Sequence, residues 1–239
     1  MRPFIHLRTS SEFSISRGLL RVKELVDAAV KYGKENGNGD EKETLALVLD
    51  KLSVAFGTEI TKIIPGYVST EVDARLSFDT EGNVRRAKRI IKMYEDNGVP
   101  RDRVLIKLAT TWEGIQAAKI LKKDNINCNM TLLFSFEQAV ACAEADVRLI
   151  SPFVGRVDDN SFDGLGLVGD IAKLYREHMS RTQVLAASLR NVKDVADCFS
   201  VGADVVTMPP AIFGKMYNHI LTDKGLQLFQ DDWNSIKKD

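Results

Sequence analysis

Short apolar runs alternate with longer amphipathic stretches over most of the chain. From residue 68 onward, each run with strand character is followed by a stretch whose apolar residues recur at helical spacing. The predicted strands are Val68–Ala74, Val104–Ala109, Asn127–Phe134, Leu149–Val154, Val184–Ser188 and Val205–Met208. Strands that alternate with helices in this way form parallel βαβ units.

The stretches between and before these strands predict helices. One predicted helix follows the second strand. The other predicted helices are Val22–Lys34, Glu43–Ile64, Thr80–Asn97, Phe136–Ala145, Leu165–His178, Val192–Ser200, Pro210–Leu221 and Gly225–Ile236. A Gly-rich loop precedes Leu165. Thr110 with Glu113 fits a capping box. Ser135 with Gln138 is predicted to cap the next helix, and Asn191 the helix that begins at Val192.

This alternation favours a (β/α)8 TIM-type barrel, with the active site at the carboxyl ends of the strands. A doubly wound open sheet is the alternative, although no Gly-rich phosphate or dinucleotide fingerprint follows any strand. No linker divides the chain. We therefore predict one barrel domain over residues 21–239, preceded by an atypical segment, residues 1–20.

The composition argues against several classes of protein. The chain has 239 residues, is 44% apolar, and carries 33 Lys and Arg against 33 Asp and Glu, so no net charge favours nucleic acid or a membrane surface. No apolar stretch is long enough to span a membrane, and we expect a cytoplasmic protein. Cys128, Cys142 and Cys198 are odd in number and widely spaced, which predicts buried thiols and no metal site.

A lysine stands inside the second predicted strand. Lys107 is flanked by Ile106 and Leu108, and burying an ammonium costs several kcal/mol unless it is paired or neutralised. A structural lysine in a buried ion pair is one explanation. A lysine that points to solvent from a strand end is another.

Polar residues in neighbouring strands favour a functional explanation. Alternate side chains of a barrel strand point inward, so Glu71 and Asp73 share one face of the first strand. The residues predicted to share one inner wall are Glu71, Lys107, Asn129, Thr131, Ser151 and Ser188, with Phe153 following Ser151 and Arg190 just past Ser188. Barrel interiors are usually filled with branched apolar residues. The series therefore predicts a site, with an internal salt-bridge network around Lys107 as the alternative.

These residue types suit amine chemistry on a carbonyl compound. Only an unprotonated lysine is nucleophilic, and an adjacent carboxylate favours the protonated form. We therefore expect Glu71 to act through a water, held on its other side by Thr131, rather than to pair directly with the ammonium. Asn129 and Ser151 would supply neutral hydrogen bonds to a polyol.

Two arginines follow neighbouring strands. Arg156 comes just after the fourth strand, and Arg190 just after the fifth. A guanidinium binds phosphate through two parallel hydrogen bonds. With a lysine on the inner wall, this pair predicts a sugar phosphate ligand.

Four segments resemble transaldolase signatures: Val68–Ser77, Ile106–Ala109, Asn127–Phe136 and Leu149–Arg156. The resemblance runs from about Val22 to Trp233. After Arg156 the chain is more similar to the small transaldolase and fructose-6-phosphate aldolase branch.

The resemblance implies a (β/α)8 barrel and a specific reaction. A dihydroxyacetone unit would pass from sedoheptulose 7-phosphate to glyceraldehyde 3-phosphate, giving erythrose 4-phosphate and fructose 6-phosphate in the pentose phosphate pathway, without metal or organic cofactor. Lys107 would be the Schiff-base lysine. Glu71 and Thr131 would be the pair that holds the catalytic water. Asn129 and Ser151 would contact the substrate, and the phosphate site would comprise Arg156, Ser188 and Arg190. Phe153 favours transfer, because the aldolase branch tends to have a tyrosine there.

The first two strands of the family, with a catalytic aspartate and an asparagine, have no counterpart here. Residues 1–20 contain neither residue type, and losing a general acid/base costs about 10²–10⁴-fold. We therefore expect a barrel incomplete at its amino-terminal side, with Phe4–Leu7 covering one edge or a second subunit filling the gap. Activity would be reduced. A fructose-6-phosphate aldolase and a non-catalytic, truncated sugar-phosphate-binding protein are the alternatives.

Overall fold

Residues 22–236 are described by a computed structural model, in which six apolar runs form strands. The strands are β1 (Val68–Glu71), β2 (Val104–Ala109), β3 (Asn127–Leu133), β4 (Leu149–Pro152), β5 (Gln183–Ala186) and β6 (Val205–Val206). The helices are α1 (Val22–Asn36), α2 (Glu41–Ile63), α3 (Thr80–Asp96), α4 (Trp112–Lys123), α5 (Phe136–Glu144), α6 (Val154–Asp159), α7 (Gly164–Glu177), α8 (Val192–Ser200), α9 (Pro210–Lys215) and α10 (Ile220–Ile236).

The six strands form one parallel sheet in which each strand lies beside its predecessor in sequence. A doubly wound sheet would reverse its strand order at a switch point, so that alternative is wrong. The sheet curls into a half-barrel, which confirms an incomplete barrel. Within residues 22–236, no strand pairs with the outer edge of β1 or of β6. Phe4–Leu7 and the predicted boundary at residue 20 lie outside the described residues.

The main core lies between the convex face of the sheet and the helices. Val104, Ile106, Met130 and Ile150 point outward from the central strands and are completely buried there. Burying side chains of this size stabilises the fold by about 1.5–3 kcal/mol each. A smaller apolar cluster, which includes Leu105, lies on the concave face. The period-two alternation therefore separates a packed outer face from an inner wall.

The capping predictions have mixed outcomes. Ser135 and Gln138 form the predicted capping box, and the Asn191 side chain accepts a hydrogen bond from Asp194 N. The capping box predicted at Thr110 is wrong: Thr111 caps α4 by accepting from Gly114 N at 3.0 Å. Thr110 instead donates its hydroxyl to the carbonyl of a β3 residue.

Two element boundaries also differ from the predictions. The Gly-rich stretch after β4 contains the short helix α6 before α7 begins. The helix predicted to run from Pro210 to Leu221 ends at Lys215, and the last helix begins at Ile220, five residues earlier than predicted.

A buried ion cluster joins α2 to α3. The Asp50 carboxylate is buried and accepts hydrogen bonds from Arg86 Nε at 2.6 Å and Arg89 Nε at 3.0 Å. Desolvation raises the pKa of Asp50, although both guanidinium groups oppose this shift. Sequence patterning did not find the cluster because the contact spans 36 to 39 residues.

Candidate active site

A cavity of about 630 Å³ runs along the concave face of the sheet. The predicted site residues that line it are Glu71, Lys107, Asn129, Ser151, Phe153 and Ser188. They come from or directly follow β1 to β5. Aliphatic residues, including Leu105 and Leu149, also line the cavity.

Lys107 and Glu71 form a direct ion pair at the carboxyl ends of their strands. The two residues are register partners in the parallel pair of β1 and β2, so their side chains project to the same side. Lys107 Nζ lies 3.3 Å from Glu71 Oε2. The expectation that Glu71 would avoid direct pairing is wrong. The side chains are 26% and 55% exposed, so solvent from the cavity supports both charges.

The partial exposure of the Lys107–Glu71 pair argues against a purely structural lysine in a buried ion pair. A lysine in a buried salt-bridge network would be enclosed in the core, whereas Lys107 lines an open cavity. Its amine is reachable by a ligand of the cavity. The neighbouring carboxylate is placed to accept a proton from it.

A chain of neutral hydrogen bonds lies beside the amine. Ser151 Oγ donates to Asn129 Oδ1 at 2.7 Å, and Asn129 Nδ2 donates to Ser69 Oγ at 3.1 Å. Asn129 is the register partner of Lys107 on β3. Because Asn129 and Ser151 are buried and hydrogen-bonded, their orientation is fixed before any ligand binds.

Ser69 was missed by the sequence reasoning, although a signal for it existed. It lies two residues before Glu71 on β1, and alternation puts the two side chains on the same face. Gln183 and Thr207 line the cavity as well and were also missed. Extending the alternation along β1 would have found Ser69, and along the predicted sixth strand Thr207. Gln183 lies an odd number of residues from Ser188, so alternation counted from Ser188 would have put it on the outer face.

Thr131 lies on β3 but does not line the cavity. It is 2% exposed, and its Oγ1 has no hydrogen-bond partner among residues 22–236. The β3–β4 register shifts between Met130 and Leu133, and Leu132 has a φ of 55°. A buried hydroxyl without a partner costs about 1–3 kcal/mol.

Asp73 does not line the cavity beside Glu71, although alternation predicted that the two side chains share one face of the first strand. It follows the end of β1, caps a short 3₁₀ helix and accepts a hydrogen bond from Arg75 Nη2 at 2.5 Å. The hydrogen bond from Arg75 lowers the pKa of Asp73 to about 2. Asp73 therefore belongs to a local ion pair and not to the site.

Arg156 and Arg190 stand outside the large cavity. The Arg156 guanidinium lies over the Phe153 ring, 4.9 Å from its centroid. Arg190 lines a second opening of about 380 Å³ together with Ser188, which lines both spaces. Ser188 therefore connects the lysine end of the site to an arginine.

The backbone around this opening is closely packed. Ser188 has a φ of 62°, a conformation that is uncommon for non-glycine residues. A Cβ on Gly155 would lie 2.3 Å from Ser188 O and 2.5 Å from Arg190 Nε. Only glycine allows α6 to approach the end of β5 this closely.

Among the described residues, no group of three or more His, Cys, Asp or Glu side chains could hold a metal ion. Cys128, Cys142 and Cys198 are buried free thiols. Burial raises the pKa of Cys128 and of Cys142 to about 12, and that of Cys198 to about 11. Across residues 22–236, we find no helix with the length and apolarity needed to cross a membrane.

The sequence matches the family model for transaldolase/fructose-6-phosphate aldolase over residues 13–239. A probable transaldolase of Dictyostelium discoideum is 46% identical over 83% of this chain and 65% of its own length. A transaldolase of Saccharomyces cerevisiae is 49% identical (82% and 61%), and one of Vibrio campbellii is 48% identical (80% and 64%). The chain thus spans less than two thirds of the length of these relatives.

Proposed function

The chain belongs to the transaldolase/fructose-6-phosphate aldolase family, and from this premise we propose that it is a transaldolase that uses Lys107 as its Schiff-base residue. The reaction moves a dihydroxyacetone unit from sedoheptulose 7-phosphate to glyceraldehyde 3-phosphate and yields erythrose 4-phosphate and fructose 6-phosphate. The observation that carries the proposal is the amine of Lys107, 3.3 Å from a carboxylate, on the wall of an open cavity.

The chemistry begins with proton transfer from the Lys107 ammonium to Glu71. The free amine then attacks the ketose carbonyl carbon, and the carbinolamine loses water to give an imine. Glu71 returns a proton to the departing hydroxyl. The family resemblance assigns the water that carries these protons to Thr131, although its side chain is buried and does not line the cavity in this structure.

For the carbon–carbon bond to break, the hydroxyl group on the departing carbon must give its proton to a base, and within residues 22–236 the only cavity carboxylate for this is Glu71. Cleavage leaves a three-carbon enamine on Lys107 and releases an aldose phosphate. The enamine carbon then attacks the aldehyde of the acceptor, and hydrolysis of the new imine frees the product. Asn129 and Ser151 supply fixed neutral hydrogen bonds to the hydroxyl groups of the ketose. Phosphate is bound by Arg156, Arg190 and Ser188, since bidentate guanidinium contacts suit its geometry.

Transfer is favoured over release of free dihydroxyacetone by the aromatic residue at the cavity wall. Phe153 packs edge-on against Phe134, with ring centroids 5.8 Å apart, and beneath Arg156. Its ring has no hydroxyl group to direct water to the enamine. Hydrolysis of the intermediate is therefore slower than capture by an aldehyde.

One observation favours a second candidate, a protein that binds sugar phosphates without turnover. Within residues 22–236, Glu71 is the only carboxylate that lines the large cavity. Without a second positioned acid/base, carbon–carbon cleavage would be slower by about 10²–10⁴-fold. Schiff-base formation needs only the amine and Glu71, so it would persist.

Borohydride reduction in the presence of fructose 6-phosphate tests the proposal. We expect a reduced substrate adduct by intact mass in the wild type and none in Lys107→Ala. Lys119→Ala, which removes a lysine from α4, is the control and should keep the adduct. An adduct in Lys107→Ala, or none in the wild type, would contradict the proposal. Turnover with erythrose 4-phosphate as acceptor then separates a transaldolase from an aldolase or a binding protein.

The proposal also covers the ligands, the oligomeric state and the cellular compartment of the protein. Small sugar phosphates are the ligands, and neither nucleic acid nor a membrane is a partner. The open edges of β1 and β6 are unpaired within residues 22–236, which favours a homo-oligomer in which a second copy covers them. The three free thiols favour a reducing, cytoplasmic setting.

A further inference from the structure

We infer that Asp159 is a positioning residue that holds Arg190 in place to bind the substrate phosphate. The inference rests on the proposed function, because it gives a role to one arm of the phosphate site. Asp159 is the last residue of α6, and Arg190 lies in the loop between β5 and α8. Asp159 was not among the residues that the sequence patterns singled out.

Arg190 is held from two helices. Its Nη2 donates to Asp159 Oδ2 at 2.5 Å, and its backbone N donates to Asp194 Oδ2 at 3.1 Å. The glycine at position 155 lets the side chain pass close to the α6 backbone. Both the backbone and the guanidinium are thus fixed before a ligand arrives.

The contact with Asp159 leaves part of the guanidinium available. Within the described part of the chain, Arg190 Nη1 makes no hydrogen bond. The guanidinium is planar, so a carboxylate bound at Nη2 limits the directions in which its other donors point. Pre-organising a binding group improves affinity because less side-chain freedom is lost when the ligand binds.

The pair has little to contribute to stability. The Arg190 and Asp159 side chains are 54% and 57% exposed, and exposed ion pairs stabilise folded proteins only weakly. The Asp159 carboxylate also repels a phosphate dianion. This repulsion weakens phosphate binding, whereas positioning of Arg190 strengthens it. The affinity change on removing the charge therefore shows which effect dominates, without interference from unfolding.

The experiment compares phosphorylated and unphosphorylated donors. Borohydride trapping on Lys107 is titrated with fructose 6-phosphate and with dihydroxyacetone, in the wild type, Asp159→Asn and Asp159→Glu. We expect Asp159→Asn to raise the half-saturating concentration of fructose 6-phosphate about three- to fivefold. The half-saturating concentration of dihydroxyacetone and the melting temperature should not change. Asp159→Glu should restore part of the loss. The matched control is Asp158→Asn, since Asp158 accepts from Gly164 N and does not contact Arg190.

The outcomes separate failure of this inference from failure of the proposed function. Tighter or unchanged binding of fructose 6-phosphate in Asp159→Asn would overturn the inference, as would an equal change for dihydroxyacetone. The inference would also be overturned if Asp158→Asn weakened fructose 6-phosphate binding as much as Asp159→Asn does, because the effect would then belong to α6 as a whole. Failure of wild-type trapping with either donor would instead count against the proposed function itself.

Discussion

Replacing Gly155 by alanine tests the close contact between α6 and the end of β5. The new Cβ would lie 2.3 Å from Ser188 O and 2.5 Å from Arg190 Nε. Ordinary contact begins near 3.4 Å, so the two segments would have to separate by about 1 Å. The first obstacle is backbone, which cannot rotate away as a flexible side chain can.

The separation has consequences for stability and for binding. Overpacking of this kind costs about 1–3 kcal/mol, and each kcal/mol lowers the melting temperature of a protein of this size by about 2–4 °C. A misplacement of about 1 Å in a binding group can cost up to about 100-fold. Because Ser188 and Arg190 belong to the proposed phosphate site, we expect the half-saturating concentration of fructose 6-phosphate in the trapping assay to rise at least tenfold. Trapping by dihydroxyacetone should change little.

Thermal unfolding and donor-dependent borohydride trapping measure both effects. Gly214→Ala is the matched control: Gly214 lies in α9, and a Cβ there would meet no atom within 4 Å. Alanine is the better helix former by about 1 kcal/mol, so this variant should be as stable as the wild type or slightly more stable. The reasoning is refuted if Gly155→Ala melts and binds fructose 6-phosphate like the wild type.

Three further predictions concern groups away from the phosphate arm. Asp50→Ala leaves two arginines without their buried carboxylate and should lower the free energy of unfolding by about 3–5 kcal/mol in urea titrations; a loss below about 1 kcal/mol would contradict a buried ion cluster. Asp73 has a folded pKa of about 2, below its ordinary 3.8, so its stabilisation is complete above the unfolded value and is lost as pH falls from about 4 to 2. Asp73→Asn should flatten the acid side of the stability profile, and an unchanged slope there would argue against the ion pair with Arg75. Since burial raises the pKa of Cys128, Cys142 and Cys198, a thiol reagent should modify none of them in the native protein at pH 8 and all three in denaturant; rapid reaction of the folded protein would contradict this.

Local pattern was a good guide to the elements and to the faces of the strands. The spacing of apolar residues predicted all six strands because the period of a strand or helix is a property of neighbouring residues. The same alternation identified Glu71, Lys107, Asn129 and Ser151 as side chains of one wall. Helix ends were harder, as the cap at Thr111 shows, since adjacent residues compete for the same backbone donors.

The family resemblance supplied the roles that we propose for these residues, which alternation alone does not provide. Alternation also placed Asp73 on the inner wall, where it does not lie. The strand ends after Glu71, and the nearby Arg75 draws the carboxylate into a local ion pair. Alternation holds only as far as the strand continues.

The sequence by itself determined the parallel order of strands and helices and the polar character of the inner wall, because both follow from short-range periodicity. Only the tertiary structure decided that Lys107 touches Glu71, that Ser69 completes the hydrogen bonds of Asn129, and that the Thr131 hydroxyl has no partner among residues 22–236. These contacts depend on the register between strands and on a local shift in β3. Register is set by how whole strands pack against the helices, and that packing couples residues far apart in the chain.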